Sequence, residues 1–433
     1  MPTHPHHELD LWQYRLSETH SLRAQQVGRF WLTLGADLPV TRVTDNNGAD
    51  IGVILGFAID IPNSMTLGST WAAPVDANDP IETIADALLW VLGGRYIWIC
   101  TVGNHARIYP DAGAQVTCVY DPIEKCVGAT APSILDGDRY EARFNRSLFE
   151  TLGVNGEGWF PAGLTAHYGL FRLLPNHYLD LNTWTTSRFS LGAMVRQDLT
   201  PDDIVGQMID VIQSQIAALA ASDRMPAIAL TAGYETRVLL ACARPFLDKV
   251  KFVTVVGEDR HQIDSIIAGR IATDLALDYM PLHRKEADAD QQALFLRRGG
   301  HCHGDSNIKY HPSVWPLVPD HVFVGGLGGE IGRAFLWRAS DTSETEITPD
   351  FLISRFGLPT SSEATTAIDA WLAVVKNNVG KDALQILDLA YIENRMGPWA
   401  NAQFCADPTE PPLVCRRLIT SSPATISNAL NCA

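Results

Sequence analysis

The stretch Ala227-Ile228-Ala229-Leu230-Thr231-Ala232-Gly233-Tyr234-Glu235-Thr236-Arg237 is a short apolar run that breaks into a turn of small residues and then enters a helix-compatible segment. A strand, a tight turn and a helix start place backbone N–H groups, the Thr231 and Thr236 hydroxyls and the positive helix end around one point, which suits a polyphosphate. The same residues also describe an ordinary strand-to-helix turn of an α/β domain, so the neighbouring segments must decide between the two.

Upstream, Ile204, Met208, Val211, Ile212, Ile216 and Leu219 recur at helical intervals, predicting an amphipathic helix from Pro201 to about Ser222. Downstream, Val250 to Val256 reads as a second strand, Gln262 to Leu275 as a helix, Tyr279 to Leu282 as a third strand, Glu286 to Arg298 as a helix and His321 to Val324 as a further strand. Alternation of this kind predicts a doubly wound parallel sheet, whose ligands bind at the carboxyl ends of its strands. Those ends are Leu230-Thr231, Val256-Gly257 and Val324-Gly325, each followed by small residues, so together they predict a pocket.

The first half reads differently. Gly52 to Asp60 is apolar and β-like, and Asp79-Pro80-Ile81-Glu82 predicts a capped helix start with Asp79 as N-cap, Pro80 at the first helical position and a helix running through Trp90. Arg95 to Val102, Ala106 to Tyr109 and Gln115 to Tyr120 follow as three short strands, giving an α+β layer arrangement. Two domains, 1–190 and 191–433, fit a chain of 433 residues.

Composition narrows the function classes. A formal charge of −16 argues against nucleic acid and anionic membranes as partners, since both need a basic surface, and is compatible with an ATP site built from a few local groups and a metal. No apolar run is long enough to cross a bilayer and residues 1–8 lack a secretory pattern, so a cytoplasmic protein is expected. The eight cysteines form no C-x-x-C pair and read as buried thiols. His4, His6 and His7 read as a polar terminus in preference to a metal-binding tail. His301-Cys302-His303-Gly304-Asp305 holds metal-capable side chains without a partner at zinc-site spacing. Asn307 to Trp315 reads as a packed loop or an acceptor-binding loop.

Known phosphate motifs are absent. No G-x-x-x-x-G-K-[ST] occurs, and Ile331 stands where a G-x-G-x-x-G pattern through Gly326 and Gly328 requires its third glycine. The arrangement instead resembles the PP-loop ATP pyrophosphatase domain of the asparagine synthetase family, where a strand leads into Ser-Gly-Gly-x-Asp-Ser and a later strand into a glycine-rich segment ending in an acid. Thr231 matches the first Ser, Ala232 and Gly233 the glycines, Tyr234 the variable residue, Glu235 the Asp and Thr236 the second Ser. Val256 matches the residue against adenine, Asp264 an acid at the next helix start, and Glu330 the acid that follows Gly325 and Gly326. The first half resembles that family's glutaminase-like (Ntn-type) domain in two places. Arg107 to Tyr120 resembles its strand, D-x-x-G turn and second strand ending in Tyr, and Tyr168 to Leu181 resembles its connecting segment.

The resemblance implies an ATP- and Mg²⁺-dependent, AMP-forming ligase that joins a small-molecule or peptide carboxylate to an amine. Cofactor contacts would come from Leu230 through Thr236, Val256, Gly257, Gly325 and Gly326, and metal ligation from Glu235 and Glu330, with one methylene more on each arm than the family's aspartates. Residue 2 is Pro2 where glutaminase members expose a nucleophilic cysteine, and the nearest cysteine is Cys100, so the first half reads as a degenerate domain, as in β-lactam synthetases and lasso-peptide cyclases. Leu327 stands where relatives place a Glu or Tyr that handles the amine, and no lysine follows Lys381 in the place of the family's C-terminal lysine. The run Leu387 to Trp399 resembles a helix near the C-terminus of family members, and cationic help is assigned to Arg237 and Arg333, with Lys309 and Arg395 as further candidates. The alternative is a non-catalytic scaffold of the same family. Adenylation of another carbonyl oxygen, with sulfur or nitrogen transfer, and a homodimer remain open.

Overall fold

A computed structural model describes residues 9, 12–21, 23–154, 156, 158–189, 199–257, 262–302, 306–318, 320–326 and 329–400. The fold mixes α and β structure, with two antiparallel-based sheets in the first half and one parallel sheet in the second.

The two sheets of the first half face each other. Alternation along the strands assigns their faces: Leu55, Ile97, Ile99 and Ile108 meet Tyr14, Leu16, Leu32 and Val127 in one apolar layer. The residues between them point outward. Ile54, Tyr96, Trp98 and Cys100 pack under the Ile81–Val91 helix, while Val119 and Cys126 pack against the short helices Ala131–Ile134 and Gly137–Arg143. Helices therefore cover both outer faces.

Two expected boundaries move for identifiable reasons. The first helix begins at Ile81 with Pro80 at the cap position and no side-chain cap, so Asp79 does not have the role expected of it. Its first-turn acid Glu82 instead pairs with Arg107 (3.0 Å). The expected strand Gln115 to Tyr120 shrinks to Val119–Asp121, because the Asp111 carboxylate takes the N–H groups of Gly113, Gln115 and Val116, which are lost to any ladder. Burial pushes the Asp111 carboxyl up to about 6, against the pull of these backbone donors.

The second half follows its expected alternation closely. The Pro201–Ala220 helix starts at a Thr200 cap that exchanges hydrogen bonds with Asp203. Met225–Ala229, Lys251–Val256, Tyr279–His283 and His321–Val324 are all parallel, in the order third, second, first, fourth. The helix expected from Glu286 begins at Ala289, because Asp288 caps it through the Gln291 N–H (2.9 Å). Ile212, Ile216, Leu239 and Leu240 fill one core with Ile228, Phe252 and Val324.

A further core gathers Leu352, Ile368, Leu372, Ile386 and Ile392 from the helices after residue 348, together with Trp159 from the first half. Asp388 lies buried in this region, and that burial pushes its carboxyl up to about 8, with Trp337 opposing and Asp382 adding to the shift. Between the ordinary carboxylate range and pH 8 the folded chain keeps a proton that the unfolded chain has lost, so this group makes stability fall as pH rises through that window. Asp388→Asn is expected to remove that slope, read as a smaller drop in the denaturation midpoint between about pH 5 and about pH 8.

No described helix is long and apolar enough to cross a membrane. Cys100, Cys118, Cys126, Cys242 and Cys302 are free, buried thiols, as expected, and Cys405, Cys415 and Cys432 lie outside the described residues.

Candidate functional site

Parallel pairing brings Leu230, Val256 and Val324 to one edge of the sheet. Leu230 extends the first strand by donating to Val253 O (2.8 Å), and the chain then turns through Thr231, Ala232 and Gly233 into the Tyr234–Ala243 helix. Gly233 is the N-cap residue and supplies no side-chain cap, and the positive end of the dipole of the Tyr234–Ala243 helix lies at this turn.

The threonine hydroxyls lie at the turn, and they lock it. Thr231 Oγ1 accepts from Gly233 N (3.0 Å) and lies 3.0 Å from Thr236 Oγ1, which itself accepts from Thr231 N (3.0 Å). Asp264, in the first turn of the Gln262–Asp274 helix, accepts from Ala232 N (2.9 Å) and so ties the second strand's helix to the turn. Val256 is half-buried at its strand end, followed by Gly257. The exposed Tyr234 ring carries the Arg237 guanidinium 4.7 Å from its centroid.

The fourth strand brings the second acid. After Val324 come Gly325 and Gly326, and the short Gly329–Gly332 helix presents Glu330. Arg333 joins the two glutamates, lying 3.2 Å from Glu235 Oε1 and 3.2 Å from Glu330 Oε1. Residues 95 apart in sequence thus meet at one guanidinium. The close approach depends on glycine: a Cβ on Gly329 would stand 1.9 Å from Glu235 Cγ, and one on Gly326 3.0 Å from Glu235 Cβ. Gly329→Ala is expected to push Glu235 aside and cost about 1–3 kcal/mol, measurable by urea titration.

Sequence reasoning did not identify the wall beside Glu330. Burial chiefly, with the Glu330 charge adding and Arg395 and Arg333 opposing, holds the Tyr391 phenol well above its ordinary range. Phe335 lies 5.2 Å from the Tyr391 ring, and Arg395 stacks 4.5 Å from the Trp159 ring. Tyr391 and Arg395 belong to a ten-residue π-helix, Tyr391–Ala400, a form often placed at functional sites. The run Leu387 to Trp399 carried the one sequence signal for this wall; Trp159 and Phe335 gave none.

Other expected residues lie on the segment before the fourth strand or beyond the described set. Lys309 is on the Ser306–Tyr310 helix, and the segment around it packs: Arg284 lies 3.9 Å over the Tyr310 ring and His311 stacks on Phe295 at 4.7 Å. His301 faces the Tyr140 hydroxyl through Nδ1, and Cys302 is buried. Among the described residues no group of three or more His, Cys, Asp or Glu could hold a metal. Pro2, His4, His6, His7, His303, Gly304, Asp305, Leu327, Gly328 and everything after Ala400 lie outside the described residues. No family model and no characterised protein matches the chain.

Proposed function

We propose that the chain is an ATP-dependent, AMP-forming ligase of the asparagine synthetase type, with a degenerate glutaminase-like first half and a PP-loop synthetase-like second half. The observation that carries this reading is the meeting of Glu235, Glu330 and Arg333 beside the Gly233-capped start of the Tyr234–Ala243 helix, at the carboxyl edge of the parallel sheet. The helix-covered, two-sheet first half supports the same reading.

In this reaction a substrate carboxylate oxygen attacks the α-phosphorus of ATP and the bond to the β-phosphate oxygen breaks, releasing pyrophosphate. An amine nitrogen then attacks the acyl carbon, loses a proton and displaces AMP. The chain's part is placement and charge neutralisation. Amides at the start of the Tyr234–Ala243 helix would hold the phosphates, Val256 and Gly257 would flank the base, and Arg237 and Arg333 would offset charge on the departing pyrophosphate. The donor set suits Mg²⁺: Glu235 Oε1 and Glu330 Oε1 each lie 3.2 Å from one Arg333 nitrogen, so two carboxylates come close to one point. Mg²⁺ on Glu235 and Glu330 would supply a Lewis acid for phosphate oxygens.

One observation favours a second reading. Arg333 already spans the glutamate pair, as expected for a non-catalytic relative in which an ion pair closes the site. Incubation with ATP, Mg²⁺ and a panel of carboxylates separates the two. The ligase releases AMP and pyrophosphate in equal amounts with at least one acid; release of neither with any acid favours the scaffold.

A further inference from the structure

The first half closes on the Tyr391–Ala400 helix around Asn394 and Pro398. The Trp159 indole N–H donates to Asn394 O (2.5 Å), Ala162 N donates to Asn394 Oδ1 (2.7 Å), and Arg172 Nη1 donates to Pro398 O (3.0 Å). Gln115 reaches the same helix beside Met396: a Cβ on Gly113 would stand 3.2 Å from Gln115 Nε2 and 3.4 Å from Met396 Cε.

Arg172, Gln115 and Asn394 are 5%, 0% and 0% exposed, and each carries polar atoms that no described group satisfies. On Arg172 these are Nε and Nη2, on Gln115 both amide atoms, and on Asn394 Nδ2, since Oδ1 is fixed toward Ala162. Arg172 decides the matter. A guanidinium taken out of water needs an opposite charge or a full set of acceptors. Among the described residues no carboxylate pairs with it, and Pro398 O is its one acceptor. Nε and Nη2 form one edge of the group, with two parallel N–H bonds spaced for the two oxygens of a carboxylate. Nη1, on the other side, is already held by the helix.

We infer that the unpartnered edge of Arg172 is a binding site for a small carboxylate, with Asn394 Nδ2 and Gln115 Nε2 as its further donors. Bound there, the anion neutralises Arg172 and ties the Phe171–Arg172 strand to the helix that carries Tyr391 and Arg395. Nε and Nη2 are closed to solvent, so the acid must be small, and it enters when the helix and the first half part. The site requires neither nucleotide nor metal and stands apart from the ligase reading.

The test uses the full chain, dialysed free of organic acids, with sodium formate as the probe and sodium chloride at equal ionic strength as the control. The thermal midpoint is expected to rise saturably with formate beyond the chloride curve. Arg172→Met, which removes the charge and keeps an apolar stem, should abolish the difference; where it does not fold, Arg172→Lys should weaken formate about tenfold through loss of the planar fork. Arginine labelled with ¹⁵N at Nε gives the direct view. The Arg172 Nε–H resonance, assigned by its loss in either variant, should move with formate and not with chloride. Gln115→Leu leaves that resonance in view and should weaken formate about tenfold, the scale of one hydrogen bond to a charged group. Equal midpoints in formate and chloride, an unmoved Nε–H resonance, or a full formate effect in the Arg172 variants would overturn the carboxylate site, and full affinity in Gln115→Leu would overturn the part given to Gln115. A chain that already holds an acid after dialysis would release one equivalent of carboxylate on denaturation, which supports the site; release of none makes the unmoved resonance decisive against it.

Discussion

Glu235→Ala is expected to lower carboxylate-dependent pyrophosphate release by at least about 10²–10³-fold, the scale on which one electrostatic contact to a developing charge acts. Three functions end with this side chain. In the proposed ligase it supplies half of the hard oxygen pair; in the fold it holds Arg333 at 3.2 Å, and its methylenes fill the space that Gly326 and Gly329 leave open. Glu235→Gln separates them, because glutamine keeps the packing against Gly329 and removes the charge. The ligase account expects both variants to lose activity and only the alanine variant to lose packing. Glu235→Gln with unchanged pyrophosphate release would sink the metal assignment.

The second large effect is on stability. Arg188→Ala is expected to destabilise the fold by about 3–5 kcal/mol, because it leaves the Glu393 carboxylate buried without its cation. Both side chains are essentially inaccessible, 2% and 0% exposed. Glu393 Oε1 accepts from Arg188 (2.7 Å) and from Asn176 (2.9 Å), and Oε2 from the Trp371 indole (2.8 Å). The pair joins the Thr185–Arg188 strand to the helix carrying Tyr391 and Arg395, so the loss should appear as earlier urea unfolding of that helix. Replacing both members by leucine should recover part of the loss, since apolar pairs of similar volume often match buried ion pairs. An Arg188→Ala midpoint equal to that of the native chain would refute this role.

The parallel sheet was legible because each strand is a short apolar run bounded by turn residues, and the alternation with helices has few other solutions. The ends at Leu230, Val256 and Val324 then pointed to the candidate site. The paired sheets of the first half were harder to read. Leu92–Val102 is buried along nearly its whole length, on both faces, so its sequence lacks the polar alternation that reveals a strand's faces. Arg95 within it is fully buried against the Trp12 ring (4.6 Å), a setting no local pattern announces. Long-range pairs were invisible for the same reason: Arg188 and Glu393 stand 205 residues apart, and nothing near either residue names the other.

The candidate site divides along similar lines. Glu235 and Glu330 could be found from the resemblance of their flanking segments, and Asp264 from its place at a helix start. That Arg333 bridges the two glutamates depends on the glycine contact at Gly329, which only packing reveals. The aromatic wall of Trp159, Phe335 and Tyr391 combines residues from both halves, so no single segment carried its signature.

The most direct measurement is the thermal midpoint of the native chain and of Glu235→Gln with millimolar ATP and Mg²⁺. A ligand that binds only the folded state must raise the midpoint, by an amount corresponding to about 2.7 kcal/mol at a hundredfold excess over Kd. The account predicts a rise for the native chain that is lost or strongly reduced in Glu235→Gln. No rise for the native chain, or an equal rise in both, would contradict nucleotide and metal binding at the Thr231–Thr236 turn.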